Sequence, residues 1–375
     1  MKVKRLVAIL TATMLSASVL VGCGNAANNG ANNGADKKEE AKGDSNEKIM
    51  VGLATDEGGL NDKSFNQSAD AGVKKAVEEF GVEYKPIESQ KKEDYEPNLQ
   101  ALVDAGSQLT FGIGFQLKEA MINIAKNNTD SKFAIIDEVI DKEADGVDNV
   151  MSITFKEEEG SFLMGVIAGK MTKTNKIGFI GGKDLPTINK FESGFAAGVK
   201  AVNPEAAKGL ESADGTKPGS NVKYADSFSD TNKGYEIAKS LYDSGCDVIY
   251  HAAGGVGIGM FKAAKEIKDK GNAVWAIGVD MDQSLSVPEY ADVILSSMIK
   301  RVDLGTYEAI KELKDGSFKA EHKVLGLKEG GVGIAETTNK NTPEDVIKIV
   351  KEYEDKIVKG EVKVPEDRKG VMEFK

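Results

Sequence analysis

The stretch TDEGGLNDKSFNQ, residues 55–67, combines acids, amides and one aromatic ring directly after the strand-like run KIMVGLA, residues 48–54. Ionised carboxylates accept hydrogen bonds from hydroxyl and amino groups, and a phenylalanine offers a flat apolar face. The adjacent glycines free the backbone to turn, which delivers Asp56 to the carboxyl end of the strand before the chain re-enters a helix near residues 64–67. These residue types favour a neutral ligand that carries a ring and several donors, and they would repel phosphate.

Most of these residues also have a purely structural interpretation. Asp62 or Ser64 can cap the following helix, and Phe65 can face a hydrophobic core. Helix capping does not explain an acid as early as Asp56. Asp56 is therefore the residue of this stretch that is hardest to assign to a simple strand-helix turn.

Short apolar segments alternate with amphipathic segments along the chain after residue 47. The strand-like segments are KIMVGLA (48–54), LTFGIG (109–114), KFAIID (132–137), KIGFIGG (176–182), DVIYHAA (247–253), AVWAIGV (273–279) and DVILSSMI (292–299). The helix-like segments are NQSADAGVKKAVEEFG (66–81), GSFLMGVIAGKM (160–171), TNKGYEIAKSLYDSG (231–245) and GMFKAAKEIKDKG (259–271). This alternation predicts the α/β class with parallel sheets, in which ligands bind outside the carboxyl ends of the strands.

Two parts of the chain resemble each other. Gly52 precedes Ala71 of AGVKKAV, and Gly178 precedes Ala197 of AGVKAV, so both pairs share an offset of 126 residues. The segments that follow, VEYK (82–85) and VKYA (222–225), repeat the pattern. Short helices rich in alanine, valine and lysine can also coincide by chance. If the repeat is real, the body consists of two similar α/β lobes that face each other across one cleft.

The N-terminus has the pattern of a bacterial export signal. A basic start, residues 2–5, precedes the apolar run 6–22, which is too short for an ordinary membrane span. The letters LVGC at residues 20–23 resemble the lipobox, in which the cysteine is acylated and becomes the new N-terminus after cleavage. We expect a lipoprotein signal peptide over residues 1–22 and lipidation of Cys23. A plain secretory signal with an incidental cysteine is the alternative.

The composition after this signal predicts a tethered, acidic body. Residues 24–47 contain no aromatic or β-branched side chain, so the acylated cysteine and this stretch, residues 23–47, form a flexible tether. Removing the signal peptide takes away three basic residues and changes the net charge from −11 to −14, the wrong sign for a nucleic-acid partner. Cys246 is the only other cysteine, so acylation of Cys23 leaves no internal disulfide.

Motifs for cofactors, metals and catalysis are weak. GGVGIG, residues 254–259, is followed by methionine where the dinucleotide fingerprint needs glycine, and no P-loop pattern occurs. His251 and His322 lack a partner at metal-ligand spacing, and His251 in an apolar strand is expected to be packed rather than liganded. No serine or cysteine triad stands out. The runs KEEE (156–159) and KKEE (37–40) are most simply interpreted as solvated charge. We expect no cofactor, no metal and no catalytic residues.

The motifs together resemble the basic membrane lipoproteins, which are purine-nucleoside receptors of ABC importers with the type I periplasmic-binding-protein fold. Besides residues 55–67, the resemblance runs through GIGFQLKEA (112–120), FAIIDEV (133–139), FKEEEGSFLMGVIAG (155–169), IGFIGG (177–182), SFSDTNKGYEIA (227–238), HAAGGVGIG (251–259), IGVDMDQ (277–283) and SSMIKR (296–301). It covers nearly the whole body. This chain departs from the family name in being acidic.

The resemblance implies a two-lobed α/β fold in which each lobe is a parallel sheet flanked by helices. Three chain crossings are expected near residues 154, 300 and 323. The N-terminal lobe would then comprise residues 48–154 plus 300–322, and the C-terminal lobe residues 155–299 plus 323–375. Ligand would close the two lobes about this hinge.

The resemblance also implies which residues bind the base. In the family two phenylalanines, one from each lobe, sandwich the purine, and the matching positions are Phe65 and Phe228. An aspartate after the first strand binds the base edge, which matches Asp56, and Asn66 lies beside Phe65. Phe228 follows a stretch whose length differs between the two lobes.

Further positions match the family residues that hold the ribose hydroxyls and the base. They are Asp137 in IIDEV, Asp280 in GVDMD and Lys300 in MIKR, and the pair Gly254 and Gly255 matches two glycines near the sugar. For the two aspartates, surface or hinge carboxylates are the alternative, and without the resemblance Lys300 could equally be a solvated lysine at a strand end.

The function that these residues favour is that of a lipid-anchored solute-binding protein. It would capture a purine nucleoside, such as guanosine, inosine or adenosine, on the extracytoplasmic face of the cell membrane and hand it to the permease and ATPase of an ABC importer. We expect a monomer that is not an enzyme and has no nucleic-acid partner. A sugar or signalling-molecule receptor of the same fold remains an alternative, because a fold does not determine its ligand. A nucleoside or sugar hydrolase that uses Asp56 and Asp137 is the other.

Overall fold

The computed structural model describes residues 48–375. The expected signal peptide, Cys23 and the whole expected tether, residues 23–47, lie outside these described residues. Between residues 48 and 375, no helix is both long and apolar enough to cross a membrane.

Residues 48–375 form alternating strands and helices. The strands are β1 (Met50–Ala54), β2 (Glu83–Ile87), β3 (Leu109–Ile113), β4 (Lys132–Ile136), β5 (Val150–Phe155), β6 (Ile177–Gly181), β7 (Val222–Tyr224), β8 (Val248–Ala252), β9 (Trp275–Asp280), β10 (Ile294–Lys300), β11 (His322–Leu325) and β12 (Val332–Ile334). The helices are α1 (Phe65–Phe80), α2 (Tyr95–Asp104), α3 (Lys118–Asn127), α4 (Lys142–Asp145), α5 (Glu157–Met171), α6 (Pro186–Val202), α7 (Pro204–Ala207), α8 (Thr231–Asp243), α9 (Val256–Asp269), α10 (Gln283–Ser286), α11 (Val302–Lys314), α12 (Glu344–Val358) and α13 (Arg368–Glu373).

The strands form two six-stranded sheets with matching orders. The first sheet runs β2-β1-β3-β4-β5-β11, and the second runs β7-β6-β8-β9-β10-β12. The predicted α/β class with two sheets is therefore confirmed. All strand pairs of the first sheet are parallel, and the second sheet is parallel except at one edge, where β12 pairs antiparallel with β10. We call each sheet with its flanking helices the first and the second lobe.

The matching orders explain the sequence repeat. Gly52 lies in β1 and Gly178 in β6, which take the same position in their sheets. Ala71 and Ala197 lie in α1 and α6, the helices that follow those strands. The repeat therefore corresponds to two lobes of the same topology.

The strands that sequence reasoning missed are those with weak local patterns. β5 carries Ser152 and Thr154 within its six residues, while β11 and β12 are short edge strands. Edge strands need no continuous apolar run, because one side of each pairs with nothing. The buried central strands, such as β6 and β8, have that run and were predicted.

The chain passes between the sheets three times: after Phe155, after Lys300 and after Leu325. The final strand of the first sheet extends to Leu325, slightly past the expected crossing near 323, because β11 pairs with β5 along its length. Helix α11 returns to the first lobe, where the Thr306 hydroxyl donates to the Ala69 carbonyl of α1 at 3.0 Å. The lobe boundaries given above remain a prediction.

Helix α5 directly follows the first crossing and packs closely on α6. A Cβ on Gly198 of α6 would lie 2.0 Å from the Phe162 carbonyl oxygen, so only glycine allows this approach. The helix is buried along nearly its whole length. Its first turn is consequently held deep in the molecule, beside the end of β10.

Candidate functional site

A cavity with about 570 Å³ of empty space lies between the carboxyl ends of the two sheets. Both lobes line it, through Asp56, Gly58, Phe65, Asn66, Gly114, Phe115, Asp137, Thr187, Ile188, Phe191, Phe228, Ala252, Ala253, Gly254, Val279, Asp280 and Lys300. This position is the one expected for a ligand site in α/β sheets.

Asp56 lies at the end of β1, where the sequence placed it. Its Oδ1 accepts hydrogen bonds from the backbone N–H of Gly58 at 2.9 Å and from Nδ2 of Asn66 at 2.8 Å. Burial raises the pKa of Asp56, although both hydrogen bonds lower it. Oδ1 of Asn66 is buried and has no hydrogen-bond partner within residues 48–375. Asn66 is thus oriented by Asp56 and retains a free acceptor at the cavity.

Asp62 caps the start of helix α1 and does not line the cavity. Its carboxylate accepts from the backbone N–H groups of Ser64 at 2.9 Å, Asn66 at 2.8 Å and Gln67 at 3.1 Å. Burial raises its pKa to about 6. The structural interpretation of Asp62 is therefore confirmed. Ser64 takes the N-cap position without a side-chain capping bond, and its hydroxyl instead donates to Asp280 of the other lobe.

Aromatic rings from both lobes provide the apolar walls. Phe65 belongs to the first lobe and Phe228 to the second, as expected. The Phe228 ring packs over Gly182, where a Cβ would lie only 2.1 Å from the ring. Its centroid is 6.2 Å from that of Phe115, in an edge-on arrangement of 68°. Phe115 lies in the family-like segment 112–120, but it was not among the predicted ligand-binding residues.

Asp137 and Asp280 occupy equivalent positions in the two lobes, at the ends of β4 and β9. Both have left-handed backbone conformations, with φ of 66° and 65°. Few residues other than glycine adopt this conformation, and aspartate is among those that tolerate it best. Such backbone strain is concentrated at functional sites in proteins.

Lys300 is a buried cation at the floor of the cavity, with a side chain only 2% exposed. Its Nζ donates to Oδ2 of Asp137 at 2.5 Å and lies 3.1 Å from Oε1 of Glu157. It also lies 5.1 Å from the centroid of the Phe65 ring. Burial alone would lower the pKa of Lys300, but the neighbouring carboxylates raise it above its ordinary value. The lysine therefore stays charged.

Asp280 joins the site to the contact between the lobes. Burial raises the pKa of its carboxyl to about 7, against the lowering effects of Lys300 and of the Ser64 hydrogen bond. Nearby, Nε2 of Gln283 donates to the Lys63 carbonyl of the first lobe at 3.1 Å. The two lobes are thus in direct contact beside the cavity.

Eight of the nine residues expected to bind ligand line this cavity: Asp56, Phe65, Asn66, Asp137, Phe228, Gly254, Asp280 and Lys300. Gly255 is not among them, because it forms the N-cap of α9 with an ordinary φ of −61°. Gly254 does need glycine, since its φ is 54° and a Cβ would lie 2.9 Å from the Phe228 carbonyl oxygen. Whether each residue binds ligand stays a prediction.

Sequence reasoning missed one charged residue next to the site. The interpretation of KEEE as solvated charge is wrong for Glu157 and Glu158, which are 2% and 5% exposed. They are buried because they begin helix α5, whose apolar body packs on all sides. The almost uninterrupted apolar run after them, FLMGVIAG, was a signal that the body of the helix is buried, but it does not extend to the acids of the first turn.

The two histidines have structural environments. His251 is fully buried, and its Nε2 lies 2.9 Å from Oε1 of Gln283. Burial lowers its pKa to about 4, so the ring is neutral at pH 7. His322 contacts the Thr154 hydroxyl at 2.7 Å. The expectation that His251 is packed is therefore confirmed, and within residues 48–375 no cluster of potential metal ligands is present.

Comparison with known proteins identifies relatives over most of the chain. The family model Bmp, described as ABC transporter substrate-binding protein PnrA-like, matches residues 48–368. The CD4+ T-cell-stimulating antigen of Listeria monocytogenes is 40% identical over 97% of this chain and 99% of its own. The ABC transporter nucleoside-binding protein BmpA of Lactococcus lactis is 36% identical over 96% of this chain and 99% of its own.

A solved structure supports the same assignment. An ABC transporter system solute-binding protein from Aeropyrum pernix superposes with a TM-score of 0.73 at 29% identity, covering 87% of this chain and 96% of the other. The expected type I periplasmic-binding-protein fold is thereby confirmed.

Proposed function

We propose that this chain, which belongs to the Bmp family of PnrA-like ABC transporter substrate-binding proteins, captures a purine nucleoside in the cavity between its lobes. It would then pass the nucleoside, unchanged, to the permease and ATPase subunits of an ABC importer. Guanosine, inosine and adenosine are the candidate ligands. Support comes from the Lactococcus lactis relative, which is named an ABC transporter nucleoside-binding protein.

The observation that carries this proposal is the composition of the cavity. Aromatic rings from both lobes, Phe65 and Phe228, stand beside buried carboxylates and an amide. Oδ1 of Asn66 and Oδ1 of Asp137 are buried acceptors without a partner inside the described chain. Buried polar atoms of folded proteins nearly always have hydrogen-bond partners. A nucleoside offers a flat base for the rings and several hydroxyl and amino donors for these acceptors.

The charges of the cavity favour a ligand without phosphate. Asp56, Asp137 and Asp280 line it together with a single lysine, Lys300, which already pairs with Asp137. A phosphate would be brought close to several carboxylates in a site with little water, where repulsion between like charges is strong. We therefore expect nucleotides to bind much more weakly than nucleosides.

The first experiment identifies small molecules released when the purified protein is denatured, followed by calorimetric titration of refolded, ligand-free protein. Guanosine, inosine and adenosine are titrated, with guanosine monophosphate, free ribose and glucose for comparison. We expect binding of at least one nucleoside. Guanosine monophosphate, ribose and glucose should bind weakly or not at all. Binding of glucose or ribose with no response to any nucleoside would support a sugar receptor and overturn the proposal. Conversion of a nucleoside to base and sugar would indicate a hydrolase.

We also propose that the protein is attached to the outer face of the cell membrane through lipidated Cys23. Support comes from the LVGC pattern at residues 20–23, which ends an apolar signal. Stable anchoring takes two membrane signals, which the several acyl chains of a bacterial lipoprotein supply. Cys23→Ala should move the protein from the membrane fraction to the soluble or secreted fraction, as measured by fractionation and immunoblotting. Unchanged retention in the membrane fraction would contradict lipid anchoring at this residue.

A further inference from the structure

Glu157 is a buried carboxylate that does not line the cavity and yet contacts a residue that does. It is the first residue of α5, directly after the first crossing between the lobes. Its Oε1 lies 3.1 Å from Nζ of Lys300, which ends β10 at the second crossing. The side chains of Glu157 and Lys300 are 3% and 2% exposed. This ion pair therefore ties two of the crossing segments together beneath the cavity.

The number of donors on Lys300 limits what its ammonium can do. An ammonium has three N–H groups. Oδ2 of Asp137 accepts one of them, and Oε1 of Glu157 is an ion-pair partner 3.1 Å from Nζ. Since Lys300 lines the cavity, an N–H that Asp137 does not take is left for a bound ligand.

Asp137 has the complementary property. Its Oδ2 accepts from Lys300, while its Oδ1 is buried without a hydrogen-bond partner within residues 48–375. Lys300 and Asp137 thus present a free donor and a free acceptor side by side. A sugar hydroxyl can accept from one and donate to the other at the same time.

A second carboxylate is needed to keep this arrangement. A lysine paired with a single buried carboxylate would gain by approaching both of its oxygens, because its N–H groups would otherwise be left unsatisfied. That movement would occupy Oδ1 of Asp137. Glu157, which lies outside the cavity lining, attracts the ammonium by its charge from 3.1 Å away, which opposes that movement and leaves Oδ1 of Asp137 free.

From this geometry we propose that Glu157 is a positioning residue of the binding site, which holds the Lys300 ammonium so that Lys300 and Asp137 together bind a ligand hydroxyl. The proposal rests on the proposed function, because it assigns the Lys300 and Asp137 pair to the sugar hydroxyls of a nucleoside. Glu157 itself acts through Lys300 and does not touch the ligand.

The test uses a double-mutant cycle on the full chain with four proteins: wild type, Glu157→Gln, Lys300→Met and the double variant. The affinity for the best-bound nucleoside and for its 2′,3′-dideoxy analogue is measured by calorimetry. Glu157→Gln should weaken nucleoside binding about tenfold, as expected for a disturbed hydrogen bond to a charged group. The dideoxy analogue should lose much less affinity. The double variant should bind no more weakly than Lys300→Met, since Glu157 acts only through the lysine.

Glu158→Gln is the matched control. Glu158 is the next residue of the same helix and is similarly buried, and it lies outside the cavity lining. Burial raises its pKa to about 8, so its carboxyl is protonated at pH 7 and glutamine is a close replacement. Glu158→Gln should bind like wild type. Thermal unfolding of the ligand-free variants separates binding from general stability, and if Glu157→Gln does not fold, Glu157→Asp replaces it in the same cycle.

The outcomes are distinct. Wild-type affinity in Glu157→Gln, equal losses for the nucleoside and the dideoxy analogue, or losses that multiply in the double variant would each overturn the role of Glu157 and leave the proposed function intact. A wild-type protein that binds no nucleoside overturns the proposed function and the role of Glu157 with it.

Discussion

At the scale of single residues, stacking and hydrogen bonding are assigned to different side chains of the cavity. Phe65 and Phe228 present rings, whose attraction to a base depends little on the groups that decorate it. Asp56 presents a carboxylate next to Asn66, and under the proposed function its effect would depend on which donors the base edge carries. Asp280 and Lys300 lie with Asp137 at another part of the lining. Substitutions at these positions should consequently change affinity in different ways.

The first prediction separates the two roles within TDEGGLNDKSFNQ. Phe65→Ala should weaken the binding of guanosine, inosine and adenosine by a similar factor, about tenfold or more, because stacking and apolar burial are lost for every base. Asp56→Asn replaces an acceptor by an amide, so its effect should differ among the three nucleosides. Calorimetry with each nucleoside measures both, and thermal unfolding excludes general destabilisation. If both variants bind every nucleoside like wild type, residues 55–67 form only a strand-helix turn.

The second prediction concerns pH and Asp280, whose pKa is raised to about 7 by burial. A ligand hydroxyl that donates to this carboxyl favours its ionised form, so binding should release a proton below pH 7. Affinity should then rise with pH, by at most about tenfold per pH unit, and level off above about pH 7. Calorimetry in buffers of different ionisation enthalpy detects the released proton. Asp280→Asn should bind more weakly and lose most of this pH dependence, whereas a pH dependence that survives in Asp280→Asn would assign the proton to another group.

The stability of the ligand-free protein provides a matching control. It should fall as pH rises, whereas the affinity for nucleoside should rise. Between the ordinary pKa of 3.8 and about 7, the folded protein retains a proton on Asp280 that the unfolded chain has lost. The contribution of this group is therefore present at low pH and is lost as pH rises through about 7, with an upper limit of ~4 kcal/mol. Denaturant unfolding from about pH 5 to pH 8 should show a smaller decrease for Asp280→Asn than for wild type.

At the scale of elements, the start of α10 forms a contact between the lobes. Oε1 of Gln283 accepts from the Val279 N–H at 2.8 Å and is 2.9 Å from Nε2 of His251, which must donate because a carbonyl oxygen only accepts. Nε2 of Gln283 donates to the carbonyl of Lys63, a residue with a left-handed φ of 59°. His251 thereby orients an amide that reaches into the other lobe, beside the Ser64 to Asp280 hydrogen bond.

The third prediction follows from this contact. Gln283→Ala should weaken the binding of all nucleosides by a similar factor of about five to tenfold, mainly through faster dissociation. The reason is that the substitution removes a hydrogen bond between the lobes and none to the ligand. Dissociation rates can be measured by displacement with a competing nucleoside. Ser286→Ala, which removes a longer contact of 3.5 Å to the same Lys63 carbonyl, should have a smaller effect. A dissociation rate unchanged in Gln283→Ala would argue against this role.

At the scale of the whole molecule, the three crossings form the connection between two lobes of the same topology. The end of β10 and the start of α5, which belong to two of these crossings, also carry Lys300 and Glu157. The ligand site and the connection between the lobes are therefore adjacent. A ligand that contacts both lobes stabilises the conformation in which they are close, through its differential affinity for that conformation.

The fourth prediction is that nucleoside binding closes the lobes about these crossings. Small-angle scattering of ligand-free protein should give a larger radius of gyration than the same protein saturated with nucleoside. Gln283→Ala should need more ligand to reach the compact profile. Identical profiles with and without nucleoside, on protein shown to be ligand-free at the start, would contradict closure.

Local patterns in the sequence determined the α/β class, most of the central strands and the main ligand candidates. Buried parallel strands such as β3 and β8 require continuous apolar runs, which are visible without any knowledge of their neighbours. Asp56 was identified because it directly follows such a run, and the carboxyl ends of parallel strands meet at one edge of a sheet. The family motifs then pointed to residues of both lobes, eight of which line one cavity.

The remaining features depend on what packs against each residue, and only the tertiary structure decided them. Glu157 has the same local appearance as an exposed acid, and it is buried because the end of β10 lies over the first turn of α5. Gly254 and Gly255 look alike in sequence, but their φ angles are 54° and −61°, and a Cβ would lie 2.9 Å and 3.4 Å from the Phe228 carbonyl oxygen, respectively. Ser64 and Asp280 meet although 216 residues separate them. Burial and contact between distant segments are set by the packing of whole lobes, so no local pattern of residues encodes them alone.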